Sequence, residues 1–240
     1  MPRHWSDGPI WSFDTETTGL DPRCDRIIAA ALVYVEPDGR AVLPSYSCII
    51  DPGVPVPEAA SAVNGLTTER VRADGVDPAG ALRHIVSLLL WVRAEGGPLV
   101  IVNAPFDWPF LIAECERHDI QAPPRVAIFD PLVVDRHTDP YRKGSRRLEA
   151  MAAHYGVTLD GAHEAGADAI AAVGVTRALL RRNESLLRCT PEKLHQEQVG
   201  WYAEWRDEIN RYWESRGETR RVTGSWPDGD LDREPEARVG

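Results

Sequence analysis

The sequence has few cysteines and few lysines. Its four cysteines lie far apart and form no Cys-x-x-Cys pair, at Cys24, Cys48, Cys115 and Cys189. This spacing excludes a disulfide framework and the usual cysteine-ligated zinc site, and it is typical of reduced thiols. Nearly all the basic residues are arginine. A usage bias in the coding sequence explains this excess more simply than phosphate recognition does.

The sequence also lacks long apolar runs. None approaches the roughly 20 residues that a membrane-spanning helix needs, and residues 1–7 contain no apolar signal segment. We therefore expect no membrane partner and a protein that stays in the cytoplasm. The formal net charge of -10 argues against coating of nucleic acid by bulk electrostatics. It does not exclude an enzyme whose acidic site binds metal ions.

The predicted elements follow the order of an α/β domain with a central mixed sheet flanked by helices. Residues 9–20 begin with a strand, and further strands at 26–35 and 41–50 predict a three-strand antiparallel meander. A helix at 78–93 leads into a short apolar run at 98–102, which indicates a buried strand parallel to the first. Beyond these we expect, in order, a helix at 105–118, a strand at 125–130 and helices at 146–155 and 164–182.

Two acids lie at the end of the first strand. Because side chains alternate along a strand, Asp14 and Glu16 point to the same face. Neighbouring carboxylates repel each other, and a divalent cation would offset that cost. Taken alone, the pair is more simply explained as a strand that runs out into a solvated acidic turn.

Two further acids lie in predicted helices. Asp107 falls in the first turn of a helix that follows a central strand, where an acid also complements the helix dipole. Asp168 shares an inward helix face with Ala172 and Val175, and a buried carboxylate without a partner is costly. His163 precedes that helix and could swing over a site, although a lone histidine there is more simply a surface residue.

Together, the four acids indicate a two-metal site. Ligation by carboxylate and water oxygens suits Mg²⁺ or Mn²⁺ rather than zinc. Two such ions about 3.5–4 Å apart clamp the attacking and leaving oxygens of a phosphoryl displacement. With an unperturbed pKa of about 6.5, His163 suits the role of the base that takes the proton from water.

Three motifs taken together resemble the DEDDh, or DnaQ-like, family of 3′→5′ exonucleases. They are Phe13-Asp14-Thr15-Glu16-Thr17-Thr18-Gly19-Leu20, Asn103-Ala104-Pro105-Phe106-Asp107, and His163 followed by Asp168. This family includes the proofreading epsilon subunit of bacterial replicative DNA polymerase. The resemblance implies an RNase H-like exonuclease fold, and the spacing of the third motif is that of the histidine branch of the family.

The resemblance also implies roles for single residues. Asp14 would bridge two Mg²⁺ or Mn²⁺ ions, Glu16 and Asp168 would complete the first site, Asp107 would hold the second ion through water, and His163 would be the base. The substrate-binding residues would be Thr17, Thr18, Leu20, Asn64, Leu66, Asn103 and Phe106. Asn64 stands where the family usually has a histidine, which affects the grip on the substrate rather than the chemistry.

The C-terminal part predicts a separate arm. A helix beginning at Thr190 and Pro191 carries large apolar residues every four positions, at Trp201, Trp205, Ile209 and Trp213. Such a surface is not left in water: it packs on its own domain or on a second copy of the chain, or it docks a polymerase or repair partner. We therefore expect an exonuclease domain at 1–188, a tryptophan-rich helix at 189–217 and a polar tail at 218–240, disordered apart from an anchor at Trp226 and Pro227.

The leading function is metal-dependent removal of nucleotides from the 3′ ends of single-stranded DNA, in proofreading or repair. One alternative is an RNA-directed exonuclease of the same mechanism. The other is a non-catalytic accessory module that keeps the fold and binds a polymerase through its helix. A basic cluster at 142–147 either holds the strand beside the site or is only the solvated entrance to a helix.

Overall fold

A five-stranded mixed sheet forms the centre of the molecule, in a computed structural model that describes residues 4–159 and 164–231. The strands are β1 at Ile10–Thr17, β2 at Ile27–Val35, β3 at Ala41–Ile49, β4 at Leu99–Val100 and β5 at Ile128–Phe129. Their order across the sheet is β3-β2-β1-β4-β5. The first three form an antiparallel meander, and β4 runs parallel to both β1 and β5. The predicted meander and the predicted parallel strand are both confirmed.

Eight α-helices are seen in the described parts of the chain. They are α1 at Glu58–Asn64, α2 at Thr68–Asp74, α3 at Pro78–Glu95, α4 at Ala104–Arg117, α5 at Pro131–Thr138, α6 at Leu148–Tyr155, α7 at Ala165–Arg182 and α8 at Pro191–Ser215. The sequence analysis does not predict α5, which follows β5 with only Asp130 between them and so has no loop to mark its start. None of the helices in these ranges is long and apolar enough to cross a membrane.

The apolar core lies on both faces of the sheet. Trp11 and Phe13 of β1 belong to a cluster with buried residues of α3 and α4. Ile10 belongs to a second cluster, on the opposite face, with buried residues of α7. Because side chains alternate along β1, Asp14 and Glu16 lie on the α7 face and Thr15 lies on the α4 face.

Helix α8 covers the edge strand β5. The side chain of Gln198 is fully buried; its Oε1 accepts the N–H of Asp130 at 2.6 Å and its Nε2 donates to the carbonyl of Ile128 at 3.0 Å. His195 accepts the N–H of Ile128 through Nδ1 at 3.0 Å. These side chains bond the main-chain N–H and C=O groups that β5 would otherwise leave unpaired at the edge of the sheet. The arm therefore packs on its own domain, which is one of the arrangements predicted for it.

The deepest face of α8 is not the predicted tryptophan stripe. Leu194, Gln198 and Tyr202 are buried, whereas Trp201 and Trp205 are half-buried. The two tryptophans pack against α5, where His137 stacks on the ring of Trp201 and Arg136 lies 3.6 Å from the ring centroid of Trp205. A polar glutamine at the centre of the buried face gives no apolar signal, so the sequence pattern points to the neighbouring face.

The start of the tail is folded. Trp226 is only 3% exposed and donates through Nε1 to Asp130 Oδ2 at 3.2 Å, and Gly229 lies against Pro105 and Pro109 of α4. The structure thus differs from the expectation of disorder at 218–231, although the anchor at Trp226 was expected. Residues 232–240 lie outside the described residues, and the divisions after residues 188 and 217 stay predictions.

Candidate active site

Three of the predicted acids meet at the end of β1. One carboxylate oxygen from each of Asp14, Glu16 and Asp168 lies within 4.8 Å of the others. Asp14 and Glu16 extend from the α7 face of β1, and Asp168 comes from the first turn of α7. The structure therefore brings together acids from two segments that are distant in the sequence.

Asp107 lies beside this cluster on the α4 side of the sheet. It is buried in the first turn of α4, and its Oδ1 accepts hydrogen bonds from the N–H of Thr15 at 3.0 Å and from the hydroxyl of Thr15 at 2.6 Å. Thr15 stands between Asp14 and Glu16 in the strand. These two bonds fix the start of α4 to the part of β1 that carries the other acids.

Burial and mutual repulsion raise the pKa values of the acids. For Asp14, burial is the largest cause, and the carboxylates of Asp107, Asp168 and Glu16 add to it, so the pKa lies well above its ordinary range. Burial, followed by Asp168 and Asp107, raises the pKa of Glu16 to about 7. Burial also raises the pKa of Asp107 to about 7, against the effect of its hydrogen bonds from Thr15. A cation bound among these groups would stabilise their charged forms.

The turn from β4 into α4 is held by Asp130, at the end of β5. The N–H groups of Asn103 and Ala104 both donate to this buried carboxylate, at 3.0 and 2.9 Å. Asn103 has a φ of 60°, a left-handed conformation that asparagine tolerates better than most residues. Sequence reasoning missed Asp130, because the only local signal is an Asp-Pro pair that begins α5.

The predicted substrate-binding residues fall into two groups. Asn64 lies close enough to Glu16 to lower the pKa of that carboxyl, and it accepts the N–H of Leu66 at 3.0 Å. These three residues line a groove of about 580 Å³. A second groove, of about 300 Å³, is lined by Leu20, Asn103 and Phe106 among others. Both grooves include residues from the end of β1 or the turn that follows it.

The threonines of the first motif shape the turn after β1. Thr17 donates its hydroxyl to the carbonyl of Gly19 at 2.6 Å, and the hydroxyl of Thr18 accepts the N–H of Arg26 at 2.9 Å. Both threonines are buried, whereas Leu20 is 83% exposed. Their hydroxyls are therefore used to hold the turn that presents Leu20.

Two further predictions concern the catalytic base and the basic cluster at 142–147. His163, the predicted base, lies outside the described residues. Within the predicted basic cluster, the side chains of Arg142 and Arg146 both donate to the buried carboxylate of Asp135. These two arginines serve to hold the loop between α5 and α6.

Comparison with known proteins settles the family. A model of the RNase T exonuclease family matches residues 11–176. The chain belongs to this family. The PolC-type DNA polymerase III of Lacticaseibacillus paracasei is 32% identical over 172 residues, which are 70% of this chain and 11% of that protein. The epsilon subunit of DNA polymerase III of Treponema pallidum is 30% identical over 162 residues, which are 66% of this chain and 70% of that protein.

Solved structures agree with the fold. E. coli exonuclease I, solved in complex with a dT13 oligonucleotide, superposes with a TM-score of 0.62 at 21% identity, over 75% of this chain and 43% of that chain. This chain thus spans less than half of exonuclease I and about a tenth of the PolC-type relative. The family match confirms the predicted exonuclease class of enzyme, and the superposition confirms the RNase H-like fold.

Proposed function

We propose that the chain hydrolyses phosphodiester bonds one at a time at the 3′ ends of single-stranded DNA, with two bound Mg²⁺ or Mn²⁺ ions. The observation that carries this proposal is the meeting of Asp14, Glu16 and Asp168 within 4.8 Å, beside the buried Asp107. Membership of an exonuclease family supports the reaction. The complex of E. coli exonuclease I with dT13 supports single-stranded DNA as the substrate.

The residues present fit hard divalent cations. Every donor in the acidic cluster is a carboxylate oxygen, the ligand type that Mg²⁺ and Mn²⁺ prefer. Asp14, Glu16 and Asp168 would hold one ion, and Asp14 and Asp107 would hold the second. When bound, such ions lower the pKa of the attacking water and stabilise the charge on the leaving oxygen.

The protein's own side chains would hold the strand end and move the proton. Asn64 and Leu66 would contact the terminal nucleotide from one side, and Leu20 from the other. His163 would accept the proton of the attacking water, the role of general base that an imidazole most often fills. The bonds between Thr15 and Asp107 would keep the second metal position in register with the first.

One of the two relatives above is named as a DNA polymerase III of the PolC type, and the other as the epsilon subunit of DNA polymerase III. We therefore favour DNA over RNA as the substrate, and proofreading or repair as the setting. A polymerase or repair complex is accordingly the partner that we infer, in addition to the single strand. We place the protein in the cytoplasm, where bacterial DNA is replicated.

A digestion assay tests this function. Purified protein is mixed with 5′-labelled single-stranded DNA, duplex DNA with mismatched ends, or RNA, in Mg²⁺, Mn²⁺ or EDTA. We expect single-stranded DNA to shorten stepwise from its 3′ end with either metal and to stay intact in EDTA. Asp14→Asn should abolish the ladder, whereas Asp38→Asn, an exposed acid between β2 and β3, should leave it unchanged. If only RNA is digested, the substrate is RNA rather than DNA. If no substrate is digested under any of these conditions, the proposed exonuclease function is contradicted.

A further inference from the structure

A groove separates the turn after β1 from the C-terminal tail. It has a volume of about 300 Å³. One wall holds three of the predicted substrate-binding residues, Leu20, Asn103 and Phe106, and the other holds Tyr202 of α8 together with Arg221 and Asp230 of the tail. The family match ends at residue 176, so this second wall is a feature of the chain beyond the part that the family describes.

The tail is fixed to the turn that carries Asn103. The Nε1 of Trp226 donates to Asp130, and the same carboxylate accepts the N–H of Asn103. Gly229 lies so close to α4 that a Cβ there would come within 2.7 Å of the carbonyl oxygen of Pro105. Substrate contacts made by the tail would therefore be made from a wall that is held in register with the predicted active site.

Arg221 is the cationic residue that the tail brings to the groove. Its main chain is held in place by its neighbour Val222, which exchanges two hydrogen bonds with Asn210 of α8, at 2.9 and 2.8 Å. Its side chain is 39% exposed and lies 3.8 Å from the carboxylate of Glu214. The guanidinium also donates to the main-chain carbonyls of Arg220 and Glu218, at 3.3 and 3.5 Å. Because these contacts are long and the side chain is partly exposed, the guanidinium can turn towards a phosphate, whose oxygens match its planar fork.

The groove combines cationic and aromatic side chains. Arg221 and Arg23 supply positive charge, and Phe106 and Tyr202 supply rings. Asp21 and Asp230 of the same groove balance these two charges, and Asp21 is already paired with Arg23 at 3.0 Å. Arg221 is therefore the cation that the groove offers to a phosphate, beside rings on which bases can stack, and this combination is one that proteins use to bind single-stranded nucleic acid.

Given the function proposed above, we propose that residues 221–230 form the second wall of the substrate path. The terminal nucleotide occupies the groove that contains Glu16 and Asn64. The nucleotides that precede it pass through the groove that contains Leu20, with Arg221 in contact with a backbone phosphate. Both grooves are lined by this part of the chain: Glu16 at the end of β1 lines the first, and Leu20 in the turn after it lines the second.

The experiment compares two substrates that differ in length. One is an oligothymidylate, which reaches both grooves, and the other is the p-nitrophenyl ester of thymidine 5′-monophosphate, which has only one nucleotide. Arg221→Ala should lower the ratio of kcat/KM for the oligonucleotide to kcat/KM for the ester about fivefold, and Arg221→Glu should lower it further. Arg221→Lys should recover most of the ratio. The salt dependence of oligonucleotide binding should lose a slope of about 0.7, the value for one phosphate contact on a single strand.

Arg220→Ala is the matched control. It removes the same charge one residue away, but the guanidinium of Arg220 lies over the ring of Trp213, 4.3 Å from its centroid. This variant should keep both rates. Equal ratios for Arg221→Ala and Arg220→Ala, with the ester and the oligonucleotide still hydrolysed, would overturn the substrate path and leave the exonuclease function in place. A wild-type protein that hydrolyses neither substrate would overturn both.

Discussion

Two acidic sites of this domain differ in what surrounds them: the fold neutralises the carboxylate of Asp135 but not the cluster around Asp14. Around Asp135, burial alone would raise the pKa, but hydrogen bonds from Arg142, Tyr155 and Arg146 outweigh it and hold the pKa below its ordinary value. Around Asp14, burial and the neighbouring carboxylates all act in the same direction and raise the pKa.

The difference separates an acid that stabilises the fold from acids that are suited to bind. A carboxylate that is paired inside the protein becomes costly only when a partner is removed. A cluster with raised pKa values keeps a repulsion that a cation from outside can relieve. The same substitution, aspartate to asparagine, should therefore have opposite effects on stability at the two sites.

The largest effect is expected from Asp14→Asn. Loss of several kcal/mol of metal-dependent stabilisation of the transition state should lower the rate of digestion about 10³-fold or more. The free energy of unfolding of the metal-free protein should not fall, because one of the repelling charges is removed. Digestion rates and urea unfolding in EDTA measure the two quantities. Activity within tenfold of the wild type, or clear destabilisation in EDTA, would contradict the view that Asp14 serves to bind metal while Asp135 serves to stabilise the fold.

The opposite pattern is expected from Asp135→Asn. The substitution leaves Arg142 and Arg146 with an uncharged partner, which should cost about 3–5 kcal/mol of stability. Activity per folded molecule should stay near that of the wild type, because Asp135 is not part of the acidic cluster. Urea unfolding and digestion well below the melting temperature check this. Asp139→Asn, an exposed acid just after α5, is the control and should change neither quantity.

The metal-free protein should lose stability as the pH rises from about 5 to about 8. Glu16 and Asp107 have pKa values of about 7 in the folded state, above the ordinary values of 4.5 and 3.8. The folded state therefore binds more protons, and the stabilisation is fully present below the ordinary values and is lost as the pH rises through about 7.

Mg²⁺ should reverse this loss, and thermal melts in EDTA and in Mg²⁺ measure it. At 100 times its Kd, a ligand that binds only the folded state adds about 2.7 kcal/mol. The gain should be smaller near pH 5, where protonated carboxylates compete with the ion. It should disappear in Asp14→Asn and persist in Asp135→Asn. A gain that is the same at both pH values would show that the ion binds elsewhere.

Local periodicity predicted the faces on which the clustered acids lie. Alternation along β1 places Asp14 and Glu16 on one face, and the inward stripe of α7 places Asp168 on the face that packs against them. The order of strand, helix and strand predicted that β4 would be parallel to β1, and this brings the start of α4 with Asp107 to the same edge. Each step uses a rule that acts over a few residues.

The interactions that hold the C-terminal arm could not be predicted in this way. Asp130 receives N–H groups from Asn103 and Ala104 and from the indole of Trp226, and the last of these is 96 residues away. A buried polar side chain has no periodic signal, and its partners are fixed only when distant segments meet. The sequence therefore pointed to the tryptophans of α8 rather than to Gln198, whose bonds to β5 lie at the centre of the buried face.

The smallest effect on stability is expected from Gln198→Met. Gln198 is a buried polar group satisfied by main-chain partners rather than by arginines, so its loss leaves the N–H of Asp130 and the carbonyl of Ile128 without this partner. We expect a cost of about 1–2 kcal/mol, because a slight shift of α8 can admit water to the strand edge. Gln196→Met, at an exposed position of the same helix, should be neutral.

Hydrogen exchange adds a local measurement of Gln198→Met: the amide of Asp130 should exchange faster, while that of Ile128 stays protected by His195. Equal acceleration at both amides would mean that the whole helix has detached, and the edge would then depend on packing rather than on these hydrogen bonds.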